Sequence, residues 1–145
     1  MNYALVVLPS SCRNSVAVTA HILVDMTLRL WTVVIDCADP MRLARWWAEA
    51  LDWRIFYESN DEVVITVPDL RHPGMVFGRS PDKKQVKNRL HLDFVPDDQS
   101  VEVDRLLALG ATRANVGQSG DEGWVVLADP EGNEFCVLSA RDGGM

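Results

Sequence analysis

Cysteine is scarce in this chain, and no two cysteines are spaced Cys-x-x-Cys. The three present, Cys12, Cys37 and Cys136, are an odd number. That speaks against a disulfide framework and fits a reducing cytoplasm. Basic residues are few as well: 14 Lys and Arg stand against 21 Asp and Glu, a net charge of −7. A protein that tracks phosphates needs a basic face, so nucleic acid is not an expected partner. Long apolar runs are also missing. The runs at 3–8 and 16–24 fall short of the roughly 18 residues that a membrane span requires. No Lys or Arg precedes the first run, so the charged start of an export signal is lacking. Residues 1–26 are therefore expected to be an N-terminal extension outside the fold, with the domain at 27–141.

What is present is a pattern that runs twice. Residues 28–37 are β-branched and aromatic and read as a strand. Asp39-Pro40 then supplies an N-cap and a first helical position. Leu43, Trp46, Trp47, Ala50 and Leu51 follow at helical spacing. Strands are expected at 53–58, 62–67 and 75–79, and a polar, solvated linker at 80–87. The order restarts with a strand at 89–95. Asp97 and Asp98 can cap a helix at 99–109 whose stripe is Val103, Leu106 and Leu107, and Gly110 can end it. A strand at 111–116 and a closing hairpin at 123–138 complete the repeat, whose period is about 58 residues. The hairpin turns on Asp129-Pro130-Glu131-Gly132-Asn133, where each residue type favours a turn for its own reason. Many strands with two helices imply an α+β fold.

Four stretches carry a resemblance to a known family: Val34-Ile-Asp-Cys-Ala-Asp-Pro40, Asn88-Arg-Leu-His-Leu-Asp-Phe94, Leu109-Gly-Ala-Thr112 and the turn at 129–133 with the strand after it. In this order they resemble the glyoxalase-like branch of the vicinal-oxygen-chelate superfamily, to which the bleomycin-resistance proteins also belong. The resemblance implies tandem βαβββ modules, here at 27–80 and 88–141. They would form a curved, cup-shaped mixed sheet with helices on its outer face. It implies a small-molecule ligand in the cup, and a homodimer as a common assembly. Metal-using relatives take ligands from the first and last strands of each module. Carried over, those positions fall on Thr32, near Gly78, on His91 and on Cys136. His91 alone is a standard ligand at a family position, and Cys136 would suit a soft metal. A divalent metal is thus implied by the family, but its ligand set is incomplete. The expectation is that no Zn²⁺, Fe²⁺ or Mn²⁺ is held tightly.

The candidate site is built around His91 as the catalytic group, with Thr32, Asp93, Trp124, Glu134 and Cys136 as ligand-binding residues. Alternation puts Arg89, His91 and Asp93 on one face of their strand, and Leu90, Leu92 and Phe94 on the other. Residues i and i+2 lie about 7 Å apart on a strand, so Asp93 is expected to orient His91 only indirectly. Glu134 and Cys136 share a face of the last strand. Cys136 reads as a small buried hydrophobe before it reads as a nucleophile. Of the five tryptophans, Trp46 and Trp47 are expected in the core, Trp31 beneath the first helix, Trp53 in the core and Trp124 at the cup rim. Three functions stay open. One is an enzyme of lyase, isomerase or dioxygenase type acting on a small oxygenated metabolite. Another is a metal-free, non-catalytic protein that binds a drug or metabolite. The third is a protein whose cup is vestigial and whose use is in association.

Overall fold

The computed structural model describes residues 30–68 and 74–139. The expected extension at 1–26 lies outside them, as does most of the loop before β4. Among the described residues the order is β1 (Thr32–Cys37), α1 (Pro40–Leu51), β2 (Arg54–Glu58), β3 (Glu62–Thr66), β4 (Gly74–Arg79), then β5 (Leu92–Phe94), α2 (Gln99–Leu109), β6 (Thr112–Arg113), β7 (Trp124–Ala128) and β8 (Glu134–Leu138). This is βαβββ twice. Each module makes one four-stranded mixed sheet, in the orders β1-β4-β3-β2 and β5-β8-β7-β6. The first strand of each module pairs in parallel with the module's last strand; the other pairs are antiparallel. No described helix is long and apolar enough to cross a membrane.

The helices end where local chemistry says they should. Asp39 Oδ1 accepts the Arg42 N–H at 3.1 Å, and Asp98 Oδ1 accepts those of Ser100 and Val101 at 2.9 and 3.1 Å. Such caps satisfy amides that have no partner inside the helix. Both helices close through a left-handed residue, Asp52 at φ 52° and Gly110 at φ 114°. Glycine takes that conformation freely, and aspartate is among the few other residues that tolerate it.

One core joins the modules. Leu43, Trp46, Trp47 and Ala50 of α1 are buried with Val63, Ile65, Met75 and Phe77 of their own sheet, and with Leu127, Phe135 and Val137 of the second. The Trp47 ring lies 5.1 Å from Phe135 and 5.7 Å from Phe94, centroid to centroid. The first helix therefore packs on both sheets. Polar bonds reinforce the junction: Trp46 Nε1 donates to the Leu109 carbonyl at 3.2 Å, and Arg105 to that of Ala50 at 2.7 Å.

The closing turn is a clamp between modules. Asp129 is only 3% exposed. Its carboxylate accepts from the backbone N–H of Glu131 and Asn133, from Asn133 Nδ2, and from Trp47 Nε1 at 3.1 Å. Glu131 reaches the start of the first helix and accepts the N–H groups of Ala38 and Asp39 at 2.8 and 3.0 Å. A carboxylate there also meets the positive end of the helix dipole. Gly132 sits at φ 88°, so the turn needs a residue without a side chain.

Several expectations are corrected. The first strand begins at Thr32, and Trp31 does not pack beneath the helix: it is 66% exposed. The strand expected at 89–95 shrinks to Leu92–Phe94, since Arg89 to His91 find no ladder partner. Leu90 consequently leaves the apolar face and is 90% exposed. The strand expected at 111–116 is two residues long. The linker is not wholly solvated, because Lys84 is bound to Glu134.

Candidate functional site

Each sheet turns one face to the helices and leaves a hollow on the other. In module two, Phe135 and Val137 of β8 enter the core, so Glu134, Cys136 and Leu138 face the hollow. The hollow measures about 390 Å³ and is lined by His91, Asp93, Trp124, Glu134 and Cys136 together with Lys87. Five of the six residues expected at the site thus share one hollow. Thr32 does not join them. It lines a separate hollow of about 560 Å³ in module one, and its hydroxyl already donates to the Gly74 carbonyl at 3.0 Å. Between the hollows the β1 and β5 edges form no ladder, and Val34, Asp36, Leu90 and His91 line a cleft there.

His91 Nε2 lies 3.2 Å from Asp93 Oδ1, both side chains being partly exposed. The contact is direct, contrary to the strand-spacing expectation. The reason is local: His91 precedes the first residue of β5, so its side chain is free to lean along the strand toward Asp93. Cys136 lies beneath them. One ligand atom each from His91, Asp93 and Cys136 falls within 4.8 Å of the others.

Burial, then the charge of Asp93 and a hydrogen bond to it, pushes the Cys136 thiol up to about 11; Lys87 acts weakly the other way. Near neutrality the group is a thiol, so it is a poor nucleophile as it stands. Cys37 is raised to about 11 as well, chiefly by burial and then by Glu131, Asp129, Asp36 and Asp39. Both thiols have folded pKa values above their ordinary 9.0. The stability linked to them is complete below pH 9 and is lost as pH rises through about 11. Iodoacetamide at pH 8 is therefore expected to leave Cys37 and Cys136 unmodified in the folded chain and to alkylate both in urea, as read by peptide mass spectrometry. Rapid labelling of Cys136 without urea would contradict its assigned burial.

Glu134 does not present a free carboxylate. Lys84 Nζ lies 2.9 Å from Oε1, and the Asn88 N–H donates to Oε2 at 2.9 Å. Burial pulls its carboxyl upward, but the bonds from Lys84, Asn88 and its own N–H outweigh this and hold it below the usual range. Glu134 thereby ties down the segment that leads into His91. The strand alternation correctly aimed Glu134 at this face but carried no sign of its partners. The sequence reading also missed Lys87, whose place in a linker gave no signal.

Relatives of known structure share the architecture. A glyoxalase/bleomycin resistance protein/dioxygenase family enzyme from Burkholderia phytofirmans superposes with a TM-score of 0.63 at 17% identity, over 79% of this chain and 100% of the other. The fosfomycin resistance protein FosX from Mesorhizobium loti gives 0.58 at 18% identity, over 78% and 92%. A mutant FosX from Listeria monocytogenes, complexed with Mn(II) and 1S,2S-dihydroxypropylphosphonic acid, gives 0.61 at 14% identity, over 80% and 92%. At such identities the likeness is one of fold. No curated protein matches the chain in sequence. The glyoxalase-like domain model, however, matches residues 32–138, from the first residue of β1 to the last of β8, and the chain belongs to that family.

Proposed function

We propose that the chain is an enzyme of lyase or isomerase type that moves a proton on a small oxygenated metabolite bound in the module-two hollow. The observation that carries this is the 3.2 Å pair of His91 and Asp93 beside the cavity. A carboxylate beside one imidazole nitrogen orients the ring toward the cavity. Nε2 faces the Asp93 carboxylate, and Nδ1 is the nitrogen we assign as the base. Trp124 offers an apolar wall, and Lys87 a positive charge suited to a substrate oxygen. Glu134 acts through the segment it anchors and so serves as a positioning residue. Deuterium exchange tests the reading directly. A panel of 2-oxo acids, 2-hydroxy acids and hydroxyketones is incubated in D₂O and followed by proton NMR. Exchange at a carbon beside a carbonyl by the native chain, and not by His91→Ala, is the expected result. Equal exchange by both would sink the assignment.

A second reading is favoured by the convergence of three donors. The family implies a divalent metal, and His91, Asp93 and Cys136 would together offer one nitrogen, one oxygen and one sulfur. That set fits Zn²⁺ better than a hard ion such as Mn²⁺. Module one adds nothing, since Thr32 is already bonded and Gly78 has no side chain. A metal held there would supply Lewis-acid polarisation of a substrate oxygen. His91 would then be a ligand and not the base. On this second reading, and against the expectation drawn from the sequence, chelator-treated protein would take up one Zn²⁺ per chain, weakened about tenfold or more by Cys136→Ala, with no Mn²⁺ surviving gel filtration. Retention of Mn²⁺ would overturn this donor assignment.

A further inference from the structure

The module-one hollow is built differently from its counterpart. Three aromatic side chains line it while largely in contact with solvent: Trp31 at 66%, Phe56 at 63% and Tyr57 at 50% exposure. Contiguous apolar surface left open on a folded chain marks a site of contact. Two of the three are there because the sheet is irregular. Successive residues of a strand point to opposite faces, so Phe56 and Tyr57 should diverge. Instead the β2–β3 register slips between Ile55, opposite Ile65, and Tyr57, opposite Val64. This bulge leaves Phe56 unpaired and brings both rings to the lining of one cavity. Bulges that re-aim side chains are concentrated next to binding sites. The core gains nothing from the arrangement, since Ile55 already supplies the inward contact of this strand.

The charge of the hollow narrows what fits it. Glu62 is the single ionised side chain among its described lining residues, and the floor is Val64 and Val76. Aromatic faces carry negative potential, so stacked rings and one carboxylate favour a positive charge on a flat body. The net charge of −7 adds a field of the same sign. We infer that this hollow seats a planar aromatic cation, stacked against Trp31, Phe56 and Tyr57, with its charge toward Glu62. The inference rests on reading the open sheet faces as small-molecule sites, but on no chemistry at His91.

Three probes of similar size and different charge decide it: N-methylquinolinium, neutral quinoline and naphthalene-2-sulfonate, each titrated calorimetrically into the full chain at pH 7.5. N-methylquinolinium is expected to bind at one site, about tenfold or more tighter than the sulfonate. Trp31→Ala and Phe56→Ala should each weaken it about tenfold. Glu62→Gln should abolish the preference for the cation over quinoline. Melting temperatures of these variants should stay close to native, because none of the side chains is in the core. His91→Ala should leave binding unchanged, so that failure of the proton-transfer reading and failure of this one are distinguishable. Sulfonate binding as tight as that of the cation would overturn the proposal. So would cation binding that survives the double variant of Trp31 and Phe56, or the absence of N-methylquinolinium binding to the native chain.

Discussion

Asp129→Ala is expected to cost about 3 kcal/mol of stability, and no less than about 2. The substitution removes a buried carboxylate that accepts from two backbone amides, from Asn133 Nδ2 and from Trp47 Nε1. Alanine leaves those donors without their acceptor in a place where water does not easily replace it, and an unmet buried donor costs more than a hydrogen bond contributes. The effect reaches beyond the turn. The same turn presents Glu131 to the start of the first helix, so loosening it weakens the contact between modules. Trp47→Phe keeps an aromatic ring against Phe135 but deletes the indole donor. The double variant should lose less than the two single losses added together, because both remove the same bond. Urea denaturation of the four proteins gives the answer. A cost below about 1 kcal/mol for Asp129→Ala would mean that the turn does not clamp the modules.

His91→Ala should lower activity about 10²- to 10⁴-fold, the span typical of a lost general base. Its cost in stability should be about 1 kcal/mol or less, since the side chain is 41% exposed and precedes the strand. Asp93→Asn should retain part of the activity, as it weakens orientation of the ring without removing it. Leu92→Ala is the control. Leu92 packs against the core from a half-buried position, which places its cost near the lower end of the 2–5 kcal/mol range for such truncations. Its effect on turnover should be small by comparison. Thermal melts and the deuterium-exchange assay on all three variants separate folding from chemistry. If His91→Ala damages folding more than Leu92→Ala does, the two faces are assigned the wrong way round.

Sequence periodicity was a good guide to whatever depends on near neighbours. The caps at Asp39, Asp98 and Gly110, the stripe of the first helix and the span of the last strand all rest on residues a few positions apart. The alternation in β8 correctly separated Phe135 and Val137 from Glu134 and Cys136. The same logic failed at Trp31 and Leu90. Both stand just ahead of their strands, where no ladder enforces alternation.

The order of two βαβββ modules and the residues able to form a site were thus determined by the sequence itself, through cap chemistry, turn residues and hydrophobic spacing. The tertiary structure alone decided which of those residues meet. It joined His91 to Asp93 and Cys136, occupied Glu134 with Lys84, and left Thr32 in a different hollow. It also set Asp129 under Trp47 and slipped the register at Phe56. The physical reason is that alternation says which side chains share a face but not what stands opposite them. The opposing groups come from strands, turns and helices far along the chain, and their distances exist only once the two sheets have packed around the first helix.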